Sequence, residues 1–160
     1  MEDSAPKIDF LKGIRDFFEK GLGPAKDFSY SIIKCDADGA TIDMPYQADL
    51  AISKADGAMH GAVLTTLVDT CLGMAALTKS ASTRPIATVD LRVDFLRPST
   101  INQDIRSHCT CYHLNGDLAF AEGTVIDKKS GEILLKAMGT FMLGTKGPDF
   151  SKLQLKSEGS

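Results

Sequence analysis

The sequence is poor in the groups that build metal and nucleic-acid sites. It has three histidines and four cysteines, Cys35, Cys71, Cys109 and Cys111, and no two cysteines form a CxxC pair. That pattern argues against a zinc site. A basic surplus is also absent: 18 Lys and Arg against 21 Asp and Glu leave a formal charge of −3, so the electrostatic footprint of a nucleic-acid binder is missing. The opening residues MEDSAPKID are acidic and hold no apolar signal segment, which leads us to expect a cytoplasmic protein with free thiols. Internal repeats and low-complexity tracts are lacking. Aromatics make up only 7% of the chain, yet 43% of its 160 residues are hydrophobic. That is enough for one domain with a core that needs no disulfide or metal staple.

Three stretches organise the chain. In residues 8–20, Ile8, Leu11, Ile14, Phe17 and Phe18 form a helical stripe, with charged residues falling away from it. Gly21 and Gly23-Pro24 are expected to stop this helix, which should lay Leu11, Ile14, Phe17 and Phe18 on the outer sheet or on a subunit contact. Strands are expected at 28–35 and 40–44, and again at 86–96, 104–114, 117–127 and 132–143. Asn115-Gly116 between two of these runs signals a hairpin. The divisions that follow are an N-terminal helical extension over 1–27, the main domain over 28–145, and a flexible polar tail over 146–160.

Between the strand groups lies GAVLTTLVDTCLGMAALTK, apolar on nearly all sides. As a helix it would be roughly 30 Å long. Asp69 at its centre argues against a membrane span, and a helix buried within an α+β protein with an antiparallel sheet is expected. Ala62, Thr66, Asp69, Gly73 and Ala76 make one narrow stripe of small residues and one acid, suited to close approach of a second helix or to cover by the same chain. Asp69 has no Lys or Arg three or four residues away. A buried carboxylate is costly unless satisfied, so it is either a structural acid bonded to Thr65, Thr66 or a backbone amide, or a catalytic carboxylate.

The stretch Gly57-Ala-Met-His60-Gly61-Ala-Val-Leu-Thr-Thr-Leu-Val-Asp69-Thr70, with Thr88-Val-Asp90 and Asp94-Phe-Leu-Arg97-Pro98, resembles the hotdog-fold acyl-CoA thioesterases of the PaaI-like, phenylacetate-pathway branch. The resemblance covers residues 40–143. It implies a long central helix wrapped by a curved antiparallel sheet of five or six strands, here with an extra N-terminal helix. It also implies a homodimer or homotetramer with sites at the subunit interface, and an acyl-CoA thioester as substrate. No separate cofactor is implied, because coenzyme A is part of the substrate. By the same resemblance Asp69 acts as base or nucleophile, the Gly61 amide faces the thioester carbonyl, and Thr88 helps to hold the water. The chain departs from the branch at Ala62, where a second Gly is usual, and at Lys54, where Asn is usual.

Thioester hydrolysis needs an activated water and a donor for the developing oxyanion. A helix N-terminus supplies unpaired N–H groups, and Gly61 stands there. Gly61 and Asp69 are eight residues apart on one helix, hence about 12 Å. One thioester carbon cannot reach both, so the two groups of a site are expected from different subunits. His60 is either a general base or, preferably, a residue fixing the turn before the helix. Lys54, Gly57, Ala62 and Arg97 are candidate substrate contacts, with Arg84 and Arg92 as further candidates for phosphates. Phe95, Phe120 and Met142 line either the acyl gap or the core. His108, His113 and the buried Cys71 are read as structural. A dehydratase acting on acyl thioesters and a non-catalytic acyl-thioester binder are the competing functions. A binder has no need of a buried base.

Overall fold

The computed structural model describes residues 5–21, 23–53 and 57–147. Lys54 and residues 148–160, which include nearly all of the expected polar tail, fall outside the described residues. The chain begins with α1 (Ala5–Asp16), a π-helical turn (Phe17–Gly21) and α2 (Gly23–Asp27). β1 (Ser31–Asp36) and β2 (Gly39–Met44) follow, then a 3₁₀ turn (Ala48–Leu50) and the long helix α3 (Gly61–Ser80). β3 (Ile86–Phe95), β4 (Ile105–Asn115), β5 (Leu118–Asp127) and β6 (Ile133–Leu143) complete the fold. Their order across one antiparallel sheet is β1-β2-β4-β5-β6-β3. This is the hotdog arrangement, with α3 touching all six strands.

The alternation of the strands explains the wrap. Ala40, Ile42 and Met44 of β2, Ile105 and Cys109 of β4, and Ala119, Ala121 and Val125 of β5 are all fully buried on one face. They meet Leu64, Leu67, Val68, Cys71, Leu72 and Ala75 of α3, and each Leu or Val so enclosed stabilises the fold by roughly 1.5–3 kcal/mol. α3 is long and apolar enough to cross a membrane, but 67% of its apolar window is buried inside this chain. Small residues let the sheet bend closely around the helix. A Cβ on Gly123 would run into Cys109 Sγ and lie 2.7 Å from the His108 carbonyl oxygen.

A polar lock sits on the other face. Asp43 of β2 accepts bonds from Arg106 Nε and Nη2 at 2.6 and 2.9 Å, and Lys128 Nζ lies 2.8 Å away. Burial pushes the Asp43 carboxyl up, but hydrogen bonds from Arg106 and Lys128 outweigh it and hold it below the usual carboxylate value.

The N-terminal segment departs from expectation in three ways. Pro24 stands in the first turn of the short helix α2, which opens at Gly23, since its missing N–H and fixed φ suit a first helical turn. The strand expected from Phe28 begins only at Ser31, after Ser29 turns the chain at φ 55°. Ile14 and Phe18 are buried in the main core rather than laid on the outside of the sheet. Arg15 Nη2 donates to the Ile32 carbonyl at 2.6 Å, and the Ile32 N–H donates to Glu19 Oε1 at 3.2 Å. These side chains satisfy backbone groups on the edge strand β1 and blunt it.

Candidate active site

Asp69 lies in the middle of α3 and is half-buried. Neither Thr65 nor Thr66 satisfies it. Their hydroxyls donate instead to the Gly61 and Ala62 carbonyls, four residues back, at 2.9 and 2.8 Å. Its partner comes from β3, where Thr88 Oγ1 donates to Asp69 Oδ1 at 3.0 Å. A bulge makes this contact available. Thr88 pairs with Phe141 and Asp90 with Thr140, leaving Val89 as an extra residue. The extra residue shifts the alternation, so that Thr88 before it and Leu91 and Val93 after it all face the helix side. Burial raises the Asp69 carboxyl above its ordinary value, and the Thr88 bond opposes this in part. A raised carboxyl is a stronger base once ionised.

Asp69 and Thr88 line one cavity of about 330 Å³. Gly61 lines a different one, of about 320 Å³, with Met59, Leu64, Phe95, Leu96 and Arg97. His60 caps α3, its Nδ1 accepting the Ala62 N–H at 3.1 Å. The Ala62 amide is thereby occupied, while among the described residues the Gly61 N–H has no acceptor. The loop leading to it is firmly placed: the Met59 N–H donates to the buried Ser99 Oγ at 2.7 Å and the His60 N–H to the Leu50 carbonyl at 2.9 Å.

Comparison with known proteins bears on the fold that carries these residues. Residues 56–134, close to half of the chain, match the profile of the thioesterase superfamily. The chain has the hotdog fold, and over those residues it is similar to the thioesterase superfamily. A Saccharolobus solfataricus protein named provisionally as an esterase is 27% identical over 90 residues, 56% of this chain and 62% of the relative. The match thus spans somewhat under two thirds of that relative's length. Among solved structures, a Shewanella oneidensis protein related to the thioesterase superfamily superposes with a TM-score of 0.80 at 19% identity, covering 89% of this chain and 100% of that one. The Escherichia coli PaaI protein of the phenylacetic acid degradation operon superposes at 0.75 with 17% identity, covering 89% and 97%. These two establish the shared fold.

The other candidates in this hotdog protein separate by position. Gly57 holds φ 66°, and a Cβ there would collide with Ile101, so its glycine serves the turn before α3. Arg97 lines the Gly61 cavity and is ion-paired with Glu132. Arg92 is exposed and paired with Asp94 at 3.2 Å. Phe95 and Met142 are exposed, so the core reading fails for both, and Phe120 stacks against His113 and Tyr112. His108 is bonded through Nδ1 to Thr41 Oγ1 at 2.9 Å. It lies in the larger cavity of about 430 Å³, with Asp94, Glu122 and Lys136, away from Asp69. Among the described residues no three His, Cys, Asp or Glu side chains cluster to hold a metal. Of the small-residue stripe, Gly73 and Ala76 are buried by this chain itself, so only its N-terminal half remains open to a neighbour.

Sequence reasoning missed Phe17, Phe18, Pro24 and Phe141 as neighbours of Asp69. No local signal marks them, because they reach the cavity from the N-terminal turn, α2 and the far strand β6.

Proposed function

We propose that this protein hydrolyses acyl-CoA thioesters, with Asp69 as the base, Thr88 holding it in place and Gly61 of a second copy as oxyanion donor. One observation carries the reading. A half-buried carboxylate with a raised pKa lies with a hydroxyl in one cavity, and a free helix-terminal amide lines another on the same chain. The two are about 12 Å apart along α3, so neither cavity is complete alone.

A two-fold pairing of β3 edges resolves this. β3 is the last strand of the sheet, ten residues long, with Val89 59% and Phe95 54% exposed. Among the described residues no strand lies beyond it, and an open edge of that length is a template for another strand. Antiparallel pairing about its midpoint sets the Thr88 end of one copy beside the Phe95 end of the other. Each Asp69 then meets a partner's Gly61, giving two sites per homodimer. Further pairing would yield the homotetramer. Arg97 at the Gly61 cavity is a candidate contact for the coenzyme phosphates.

In the reaction, Asp69 takes a proton from water and the water oxygen bonds to the thioester carbon. The carbonyl oxygen gains negative charge and accepts the Gly61 N–H. Collapse breaks the C–S bond, and the coenzyme leaves as a thiolate that takes up a proton. No separate cofactor is needed. Direct attack by Asp69, forming a mixed anhydride that water then cleaves, uses the same groups.

The test is thiol release from a panel of acyl-CoAs by the wild type and by Asp69→Asn. Release by the wild type and its loss in the variant supports hydrolysis. Tight acyl-CoA binding without release by the wild type makes the protein a non-catalytic acyl-thioester binder.

A further inference from the structure

Asp69, Gly73 and Leu77 follow one another at four-residue spacing, so they form one face of α3 at successive turns, each about 6 Å further on. All three line the Thr88 cavity. One turn beyond the carboxylate the lining becomes apolar, with Phe141 from β6, Ile86 from β3, and Phe17 and Phe18 from the N-terminal turn. Phe141 and Phe18 are 1% and 7% exposed. Arg15 and Glu19, which flank the two phenylalanines, are the residues bonded to the Ile32 backbone. The aromatic wall is therefore tied to the sheet on both sides.

Gly73 is unusual among these groups. A mid-helix glycine disfavours the helix, yet a Cβ here would lie 3.4 Å from Ile86 Cδ1 and 3.5 Å from Phe141 Cε1, ordinary contact distances. The protein has room for a methyl group at this position and leaves that room to the cavity. The volume of about 330 Å³ falls at the low end of the roughly 300–1,000 Å³ of small-molecule sites.

We propose that this cavity receives the acyl group, and that Gly73 and Phe18 set its capacity, admitting a compact apolar acyl group and refusing a long fatty chain. The proposal rests on the thioesterase reading for its substrate. The thioester carbonyl sits at Asp69 and Thr88, and the acyl group runs along α3 over Gly73 toward Leu77 and the Phe17–Phe18 wall.

The experiment compares acetyl-, hexanoyl- and palmitoyl-CoA as substrates, and S-ethyl- and S-hexyl-coenzyme A as non-hydrolysable ligands. The proteins are the wild type, Gly73→Ala and Phe18→Leu. The wild type is expected to favour hexanoyl over palmitoyl by at least ~10-fold in kcat/KM, within the roughly 10–200-fold that a steric pocket imposes for small changes in size. Gly73→Ala, with a melting temperature equal to or above wild type, should lower the hexanoyl-to-acetyl ratio by about 10-fold. It should lower the S-hexyl-to-S-ethyl affinity ratio in the same direction. Phe18→Leu should raise the palmitoyl-to-hexanoyl ratio.

Unchanged ratios in both folded variants overturn the pocket assignment, as does a wild type that prefers palmitoyl or binds neither thioether. The two readings fail separately. A shifted thioether ratio without thiol release from any substrate supports the pocket and ends the hydrolytic reading. Thiol release with unchanged ratios does the reverse.

Discussion

Thr88 Oγ1 donates a 3.0 Å hydrogen bond to Asp69 Oδ1, tying the edge strand β3 to the middle of α3 across the Val89 bulge. The bond fixes where the carboxylate points while leaving its second oxygen for another partner. It also places both groups on one chain, which determines how variants combine.

Asp69→Asn preserves shape and the Thr88 bond but removes the base. Hydrolysis should fall by at least ~100-fold, the scale for losing a positioned general base, while acyl-CoA binding persists. Thiol release and thermal unfolding, measured on the same samples, check this. Near-normal turnover in a folded Asp69→Asn protein ends the mechanism.

Burial raises the Asp69 carboxyl despite the Thr88 bond, and the sign of two pH effects follows. The rate should rise with pH through a carboxylate value above the ordinary 3.8, because only the ionised form is a base. Stability runs the other way. A group that binds its proton more tightly when folded contributes stability at low pH, and loses it as pH rises through the folded value. Asp69→Asn should therefore unfold at a higher temperature than wild type at neutral pH, with the gap closing below the ordinary carboxylate range. Rate profiles and melting curves across pH test both.

Gly61 opens α3 and His60 before it holds φ −62° and ψ 136°, a conformation that tolerates a following proline. Gly61→Pro thus deletes the free N–H with little cost to the helix; Phe95, whose ring would lie 3.3 Å from the new Cβ, is exposed and can yield. Turnover should drop on the order of 100–1,000-fold. Mixing this variant with Asp69→Asn should restore activity, since one site of each mixed dimer then regains both groups. Mixing Asp69→Asn with Thr88→Val should restore nothing, because one chain supplies both residues. Subunit exchange followed by a thiol assay decides it.

His60 Nδ1 accepts the Ala62 N–H. His60→Ala should lower stability by about 1 kcal/mol, the usual loss of an N-cap, and His60→Asn should recover most of it. A His60→Asn protein with restored stability but no turnover would mark His60 as catalytic instead. Denaturant unfolding beside thiol release separates the two roles.

Asp43 joins β2 to β4 and to Lys128 just beyond β5. Asp43→Ala should destabilise by about 1–2 kcal/mol, less than the ~3–5 of a fully buried pair because both cations are partly exposed. The Asp43 carboxyl is held low by Arg106 and Lys128 against the opposing effect of burial. Its contribution is therefore present above the ordinary carboxylate value and is lost as pH falls through the lowered one. Urea unfolding of both proteins from neutral to acid pH is the check.

Local pattern carried much of this architecture. The apolar run from Gly61 to Ser80 is a buried helix because its hydrophobic residues encircle it, and the hairpin at Gly116 follows from Asn-Gly between two strand-forming runs. Asp69 stood out because nothing near it in sequence could neutralise it. Its actual partner, Thr88, lies 19 residues away and faces it only because Val89 bulges from β3. Strand alternation has a period of two, so one extra residue reverses every side chain beyond it, and no composition marks that event in advance. Phe18 presents the same limit, since the helical stripe marks it as apolar but cannot say which surface it covers. Only the fold brings that turn into one cavity with Gly73 and Phe141. Periodicity along the chain therefore determined which elements form and which faces are buried. Register and the meeting of distant segments, which depend on packing the whole sheet around α3, decided which side chains share a cavity with Asp69.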